Sequence, residues 1–343
     1  MTYTPPPSRP GGLRLHLNEN TAGCSPAVLA ALQSIERTST SVYPDYVWLT
    51  YQCERYFGVE PGFVQLTNGL DEGLHVMAQA AKLSLPDFDA IVVEPAFEMY
   101  AACIAAVGGR QVTVPPMAGL GFPIDAVIAA LSYRTRLIYL CDPNNPTGLA
   151  IPLANLRRVA DAAPQAMVLV DEAYADFSGR TMVPLLDRHR NVVVGRTFAK
   201  AHGLAALRVG ALIAHPSTLK AIRRILPPFS VNIAAAIALR AALADRAYVE
   251  WYVEEARQSR ELMYAWCRGH GIPYWPSEGN FVLILLGDTA KACVEALAAQ
   301  EIYIRDKTST PGCEGCIRIT AGLVEDTRVC LAAMEEWYAS RGN

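Results

Sequence analysis

The chain has 343 residues, which suggests roughly two domains at about 150 residues per domain. Hydrophobic residues make up 52% and charged residues 18%, so the composition excludes intrinsic disorder, collagen and coiled coil. The 30 Lys and Arg residues nearly balance the 33 Asp and Glu residues, which leaves no charge signature for nucleic acid or an anionic membrane surface. The expected partner is a small molecule or another protein.

The sequence also predicts a cytoplasmic protein without a membrane span. The most apolar long stretch, residues 232–244, contains Arg240 and is shorter than the roughly 20 residues that a bilayer requires. The Pro-rich first 12 residues lack the apolar core of a secretory signal. Nine irregularly spaced cysteines do not suggest a disulfide framework, and the pair Cys313 and Cys316 has no companion ligands, so no metal site is predicted.

Between residues 90 and 214 the chain alternates short β-branched runs with helical patterns. Several runs are apolar throughout, which is typical of parallel strands covered by helices on both faces. Strands are predicted at residues 90–93, 111–114, 136–140, 166–170, 191–194 and 209–214, with helices at 97–107, 124–131 and 153–162. This pattern predicts an α/β domain with a mostly parallel sheet flanked by helices.

The pattern changes after Pro227 and Pro228. A long Ala-rich, charged helical region is predicted at residues 232–269, followed by strands at 280–286, 302–305 and 317–321. We therefore expect a smaller α+β domain. The predicted division gives residues 28–235 to the large domain, and residues 1–27 and 236–343 to the small domain with its N-terminal arm.

Three polar clusters each follow an apolar strand of the large domain. They are Cys-Asp-Pro-Asn-Asn-Pro-Thr-Gly at 141–148, Asp-Glu-Ala-Tyr at 171–174 and Arg-Thr-Phe-Ala-Lys at 196–200. The first alone would be an ordinary turn sequence. The second resembles the magnesium-binding strand end of a P-loop ATPase, but the sequence has no phosphate-binding loop of that type. Because ligands bind at the carboxyl ends of parallel strands, the three clusters are expected to converge on one pocket.

Together these motifs resemble the fold type I, pyridoxal 5'-phosphate-dependent aminotransferases of class I/II, and within them the histidinol-phosphate aminotransferases. The resemblance covers most of the chain. Its further motifs are Leu17-Asn18-Glu19-Asn20, Tyr43-Pro44, Thr67-Asn68-Gly69-Leu70-Asp71-Glu72, Glu94-Pro95-Ala96-Phe97-Glu98-Met99-Tyr100, Ser277-Glu278-Gly279-Asn280-Phe281 and Cys316-Ile317-Arg318-Ile319-Thr320.

The resemblance implies that the large domain binds the cofactor. Lys200 would form the Schiff base and, once displaced by substrate, carry the proton that moves during the reaction. Asp171 would pair with the pyridine nitrogen and keep it protonated, so that the ring accepts electrons. Asn145 and Tyr174 would hydrogen-bond the phenolic oxygen. Lys200, Asp171 and Tyr174 are the predicted catalytic residues.

The remaining cofactor contacts are also implied by the resemblance. Phe97 occupies the ring-stacking position. The phosphate ligands would be Gly69, Leu70, Asp71, Thr197 and Arg208, the first three through backbone amides if a helix begins there. Tyr43 matches a tyrosine that reaches the phosphate from the neighbouring subunit, which implies a homodimer.

For the substrate, the resemblance implies an anionic amino donor and a 2-oxo acid. Arg318 corresponds to the carboxylate-binding arginine of the superfamily, and Arg305 matches a second anion-binding arginine. The residues matching substrate-contacting positions are Asn20, Asn145, Asn280, Arg305 and Arg318. The implied reaction converts histidinol phosphate and 2-oxoglutarate to imidazole acetol phosphate and glutamate.

Alternatives remain at this point. The segment before Leu17 lacks the Pro-Tyr-x-Pro-Gly stretch usual in the family, and Thr21-Ala22-Gly23-Cys24 replaces a Pro-containing sequence, so an aromatic or other amino acid is the alternative donor. A lyase, decarboxylase or cyclase on the same scaffold is a second alternative, since a fold does not fix a reaction. A ligand sensor within a transcription regulator is not expected, because the motifs start at Leu17 and leave no room for a DNA-binding domain.

Overall fold

The computed structural model describes residues 11–340; residues 1–10 of the predicted N-terminal arm and residues 341–343 lie outside the described residues. The strands of the described part are β1 (Leu13–Leu15), β2 (Val64–Thr67), β3 (Asp89–Val93), β4 (Arg110–Val114), β5 (Thr135–Cys141), β6 (Met167–Asp171), β7 (Val192–Thr197), β8 (Gly210–Ala214), β9 (Tyr274–Trp275), β10 (Phe281–Leu285), β11 (Ile302–Asp306) and β12 (Cys316–Thr320). The α-helices are α1 (Pro26–Gln33), α2 (Val47–Phe57), α3 (Gly69–Ser84), α4 (Met99–Ala106), α5 (Ile124–Ala129), α6 (Leu153–Ala162), α7 (Ala175–Ser178), α8 (Pro216–Arg223), α9 (Ile233–Ala244), α10 (Arg246–Gly269), α11 (Ala290–Ala298) and α12 (Val324–Ala339).

The larger sheet has seven strands in the order β2-β8-β7-β6-β5-β3-β4. All neighbouring pairs are parallel except the two that involve β8. In register, Cys141 of β5 pairs with Asp171 of β6, and Asp171 pairs with Gly195 of β7. The carboxyl ends of β5, β6 and β7 therefore lie side by side, which brings the three polar clusters together.

The apolar runs of this sheet face two separate cores because side chains alternate along a strand. In β6, Val168 and Val170 belong to one buried cluster, whereas Leu169 belongs to the cluster on the other face. Helices α1, α6 and α9 contribute to the first core, and α3, α4 and α8 contribute to the second. Burial on both faces explains why these strands contain continuous apolar residues.

The smaller sheet has five strands in the order β1-β11-β12-β10-β9. Its core is a separate cluster to which α10, α11 and α12 contribute. Strands β11 and β12 are antiparallel, and their register makes Arg305 and Arg318 direct cross-strand partners. The sheet thus positions the two predicted substrate arginines next to each other.

The predicted strands between residues 90 and 214 overlap β3 to β8, and the predicted helix at 153–162 coincides with α6. The long helical region at 232–269 is instead two helices, because Asp245 ends α9 and its side chain accepts a hydrogen bond from the Tyr248 amide, 3.3 Å away, to cap α10. None of the helices between residues 11 and 340 has the length and apolar character needed to cross a bilayer.

Candidate active site

A cavity of about 400 Å³ lies at the carboxyl ends of β5, β6 and β7 and extends to the smaller sheet. Eleven of the predicted site residues line it, namely Leu70, Asp71, Phe97, Asn145, Asp171, Tyr174, Thr197, Lys200, Arg208, Arg305 and Arg318. Four others, Tyr43, Gly69, Asn20 and Asn280, are not in its lining. The structure therefore gathers most of the predicted site into one place.

Lys200 follows β7 and brings a primary amine into the cavity. Its Nζ donates a hydrogen bond to the Leu17 carbonyl oxygen at 2.9 Å. Burial and the positive charge of Arg318 lower the pKa of Lys200 to about 8. The neutral amine is the form that attacks an aldehyde. Because its pKa is lowered, a larger fraction of Lys200 is neutral near physiological pH.

Asp171 ends β6 at the base of the cavity. The Tyr100 hydroxyl donates to Asp171 Oδ2 at 2.7 Å, and the Ala173 amide donates to Oδ1 at 3.0 Å. Burial raises the pKa of Asp171 to about 6, while these two hydrogen bonds act in the opposite direction. The carboxyl group is thus ionised at neutral pH in a buried place, where a cationic partner is strongly favoured.

Tyr174 and Asn145 bring neutral hydrogen-bonding groups to the same cavity. The Tyr174 hydroxyl accepts a hydrogen bond from Asn18 Nδ2 at 3.0 Å, and burial raises the pKa of Tyr174 above its ordinary value. It therefore keeps its proton and can donate it in a hydrogen bond. Asn145 Oδ1 accepts from Arg318 Nη1 at 2.5 Å, which leaves the Asn145 amide group as a donor.

The amino end of α3 forms one end of the cavity. Gly69 begins this helix with φ of +71°, and a Cβ there would lie 2.5 Å from Arg208 Nη2. Arg208 Nη2 donates to Asp71 Oδ2 at 2.8 Å, so the guanidinium lies over the start of the helix. Gly69 thus affects the cavity without lining it, since a Cβ at this position would displace the Arg208 guanidinium. An arginine beside unpaired helix amides is a typical anion site.

The opposite end of the cavity carries further cations. Arg318 Nη2 donates to the His16 carbonyl oxygen at 2.8 Å. Arg305 Nη2 lies 3.6 Å from Glu98 Oε2, and Lys307 Nζ lies 3.2 Å from Glu98 Oε1. Glu98 and Lys307 are not among the site residues predicted from the sequence. The sequence signal that could have indicated Lys307 is its spacing from Arg305, because residues two apart on a strand face the same side of the sheet.

His16 is another residue that the sequence reasoning missed. It is 5% exposed, lines the cavity, and neither ring nitrogen has a hydrogen-bond partner among the described residues. Burial and neighbouring cations, chiefly Arg14, lower the pKa of His16 to about 4, so the imidazole is neutral at pH 7. No sequence motif pointed to His16, because a single histidine directly after a short strand has no distinctive spacing.

Asn20 and Asn280 lie beside the cavity and connect segments of the chain. Asn20 Nδ2 donates to the Ala201 carbonyl oxygen at 2.9 Å, next to Lys200 in sequence. Asn280 Nδ2 donates to the Asn18 carbonyl oxygen at 3.2 Å. In this structure both asparagines hold the segment at residues 18–20 against the rest of the site.

Tyr43 lies on the surface, away from the cavity. Its side chain is 77% exposed and stacks on Phe229 with ring centroids 4.4 Å apart. It borders a separate open cleft that Tyr46, Leu226 and Pro228 also line. Within one chain, therefore, Tyr43 does not contact the cavity.

Comparison with known proteins identifies the family. The model for aminotransferase class I and II matches residues 10–333. The chain belongs to this family. A histidinol-phosphate aminotransferase of Ralstonia nicotianae is 36% identical over 95% of this chain and 89% of its own length. One from Anoxybacillus flavithermus is 31% identical over 96% of this chain and 89% of its own length.

A solved aminotransferase structure has the same fold. The histidinol-phosphate aminotransferase of Sinorhizobium meliloti in complex with pyridoxal 5'-phosphate superposes with a TM-score of 0.86 at 27% identity, covering 96% of this chain and 91% of the other. These findings confirm the predicted fold type I class and the assignment of this chain as a pyridoxal-phosphate-dependent aminotransferase.

The residues present also fit this cofactor. The start of α3 at Gly69 and the Arg208 guanidinium can bind a phosphate. The buried Asp171 carboxylate can pair with a protonated pyridine nitrogen, and the Lys200 amine can form a bond with an aldehyde. All three groups face one cavity. The donor set is therefore complementary to each reactive part of the aminotransferase cofactor.

Proposed function

We propose that this aminotransferase transfers the amino group of histidinol phosphate to 2-oxoglutarate, giving imidazole acetol phosphate and glutamate. The main support is the pairing of Arg305 with Arg318 in the same cavity as Lys200, since both substrates carry anionic groups. The histidinol-phosphate aminotransferases among the relatives support the same reaction.

The proton transfers are assigned to Lys200. Pyridoxal phosphate, when bound, supplies an electron sink that makes the substrate Cα acidic. Lys200 would hold the cofactor covalently; once the substrate amine displaces it, its free amine would take up the Cα proton of the substrate and later release it. The lowered pKa of Lys200, about 8, places this group in the range where it both accepts and releases a proton at neutral pH.

Four other side chains would set the electronics and position of the cofactor ring. Asp171 would hold the proton on the pyridine nitrogen, and Tyr174 and Asn145 would donate hydrogen bonds to the phenolic oxygen. Phe97 would stack on the ring. The hydrogen bonds that Asp171 and Tyr174 receive from Tyr100 and Asn18 support these roles, because they fix the orientation of both groups.

The cofactor phosphate is assigned to the amino end of α3. Thr197, Arg208 and the amides of Gly69, Leu70 and Asp71 would bind it. Arg208 already occupies this position through its contact with Asp71. On the substrate side, Arg305 and Arg318 would bind phosphate in one half-reaction and carboxylate in the other, with Asn20, Asn145 and Asn280 nearby.

We further propose a cytoplasmic homodimer in which Tyr43 reaches the cofactor phosphate of the neighbouring subunit. The exposed aromatic pair Tyr43 and Phe229, with Val47 and Trp48 also exposed nearby in sequence, supports an interface on this face. In the same proposal residues 28–235 form the cofactor domain, and residues 1–27 and 236–343 form the small domain. The separate cores of the two sheets support two domains, and Ala238 and Leu239 of α9 pack in the core of the larger sheet, beyond the proposed boundary at residue 235.

A donor screen tests the proposed reaction. The cofactor-loaded protein is mixed with 2-oxoglutarate and, in turn, histidinol phosphate, aromatic amino acids and aliphatic amino acids, and glutamate formation is measured. Histidinol phosphate is expected to give the highest kcat/KM. Efficient turnover of an aromatic amino acid with none of histidinol phosphate would reject this donor, and consumption of a donor without glutamate would indicate a lyase or decarboxylase.

A further inference from the structure

The cavity contains two cations that share one carboxylate. Lys307 Nζ and Arg305 Nη2 lie 3.2 Å and 3.6 Å from the two oxygens of Glu98. Arg305 belongs to β11, and the Lys307 amide continues the ladder by donating to the Cys316 carbonyl oxygen at 3.0 Å. Both side chains therefore extend from the same face of the smaller sheet. Glu98 neutralises one of their two positive charges.

Glu98 comes from the other side of the cavity, immediately before α4 of the larger sheet's helical layer. Its side chain is 43% exposed, whereas that of Lys307 is 6% exposed. A half-exposed carboxylate can turn into water at small cost, but a buried ammonium requires an anionic partner. The Glu98 carboxylate is therefore the member of this cluster that another anion can replace.

The buried His16 adds a second observation. Its ring has no hydrogen-bond partner among the described residues, and it lines the same cavity. The His16 carbonyl oxygen accepts a hydrogen bond from Arg318 Nη2 at 2.8 Å, which places this residue beside that arginine. A buried imidazole without a partner is satisfied when a bound group supplies one. This end of the cavity thus has two independent features that a polar ligand would complete.

We propose that Glu98 occupies an anion subsite formed by Arg305 and Lys307 until the substrate's terminal group displaces it, and that Lys307 makes this subsite selective for a doubly charged group. Two cations neutralise a phosphate monoester dianion, whereas a single carboxylate neutralises only one of them. Lys307 is thus a specificity-determining residue that favours phosphorylated donors over carboxylate donors. This inference rests on the proposed function, since it assigns the recognition of that donor's phosphate.

Direct binding tests the subsite without turnover. Inorganic phosphate is titrated calorimetrically into the cofactor-loaded protein, whose cofactor already occupies the other anion site. Lys307→Met is expected to weaken phosphate binding about tenfold, the loss of one charge-assisted hydrogen bond. Glu98→Gln is expected to strengthen it several-fold, because the competing carboxylate is gone.

Opposite changes of phosphate affinity in the two variants would show that Glu98 is a displaceable counter-ion. If Glu98 and Lys307 formed a structural ion pair, both variants would bind phosphate more weakly. Lys291→Met, which removes an exposed lysine on α11, is the matched control and should leave phosphate binding unchanged. Lys307→Arg should restore most of the affinity, which also excludes misfolding as the cause. Absence of phosphate binding to the unaltered protein, or the same direction of change in both variants, would overturn the proposal.

Kinetics provide the second readout. Lys307→Met should raise KM for histidinol phosphate about tenfold and change KM for glutamate much less. If the unaltered protein forms no glutamate from any donor, the proposed function fails while the phosphate titration still reports on the subsite. If the donor is turned over but Lys307→Met affects both substrates equally, only the subsite assignment fails.

Discussion

At the scale of single residues, the environment of Lys200 decides its reactivity. Burial and Arg318 lower the pKa of Lys200 to about 8, so covalent attachment of cofactor to cofactor-free protein should accelerate as pH rises through that value. Arg318→Leu removes one lowering influence and should move this midpoint upward. The measurement is the rate at which a borohydride-reducible link forms as a function of pH. Lys200→Ala should form no such link; a modified peptide elsewhere would contradict the assignment.

Asp171 offers a test that separates binding from chemistry. Asp171→Asn keeps the size of the side chain but cannot hold a proton on the pyridine nitrogen, so cofactor should remain bound while kcat falls about a hundredfold or more. Absorbance measures the bound cofactor and glutamate formation measures kcat. Nearly unchanged turnover in this variant would disprove the role of Asp171.

Tyr100 is expected to act through Asp171. Its hydroxyl hydrogen bond opposes the effect of burial, which raises the pKa of Asp171 to about 6. Removing that hydroxyl in Tyr100→Phe should raise the pKa further. In the cofactor-free protein the ionised form of Asp171 then appears only at higher pH, so the acid limb of the pH profile for cofactor binding shifts upward. Weaker cofactor binding with an unshifted profile would indicate a purely structural role.

At the scale of secondary-structure elements, the turn after β5 connects the two sheets. Gly148 has φ of +75°, its carbonyl oxygen accepts from the Glu278 amide at 2.8 Å, and a Cβ there would lie 2.9 Å from the Ser277 Cα. The turn also carries Asn145. A side chain at position 148 would therefore affect both the stability of the fold and the position of Asn145.

Gly148→Ala combines backbone strain with a steric clash, and Gly179→Ala provides the matched control. Gly179 has φ of +67° with nothing within 4 Å of its Cβ position, so alanine there should cost about 1–2 kcal/mol of unfolding free energy from strain alone. Gly148→Ala should cost about 1–3 kcal/mol more. Denaturant unfolding measures both, and equal losses would show that the contact between the sheets is unimportant.

At the scale of the whole molecule, the proposed dimer is testable by complementation. Tyr43→Ala and Lys200→Ala subunits are each expected to be weakly active or inactive. If Tyr43 serves the neighbouring site, each mixed dimer has one site with neither change, so random mixing should restore up to about a quarter of the normal activity. Subunit exchange is verified with differently tagged chains. No recovery despite exchange would place the action of Tyr43 within its own chain.

The sequence was sufficient for features that depend on local pattern. Apolar runs ending in polar clusters predicted β5, β6 and β7 and the convergence of Asn145, Asp171 and Lys200, because parallel strands align their carboxyl ends. Seven elements, β1, β2, β9, α1, α2, α7 and α8, were not predicted from the sequence. The strands β1, β2 and β9 lie at the edges of their sheets and have two to four residues, which is too short for a periodic pattern to distinguish a strand from a loop.

What only the tertiary structure decided is how groups distant in sequence meet. Glu98 precedes α4 and Lys307 follows β11, 209 positions apart, and neither spacing nor composition relates them. Likewise, the pairing of Tyr100 with Asp171 and the effect of Arg318 on Lys200 arise from packing between elements. The sequence by itself determined the fold class and the family and supplied the candidate reactive residues, because local patterns along the chain encode them. The charges, protonation and counter-ions of the site were decided only by folding, since they depend on burial and on contacts between separate strands and helices.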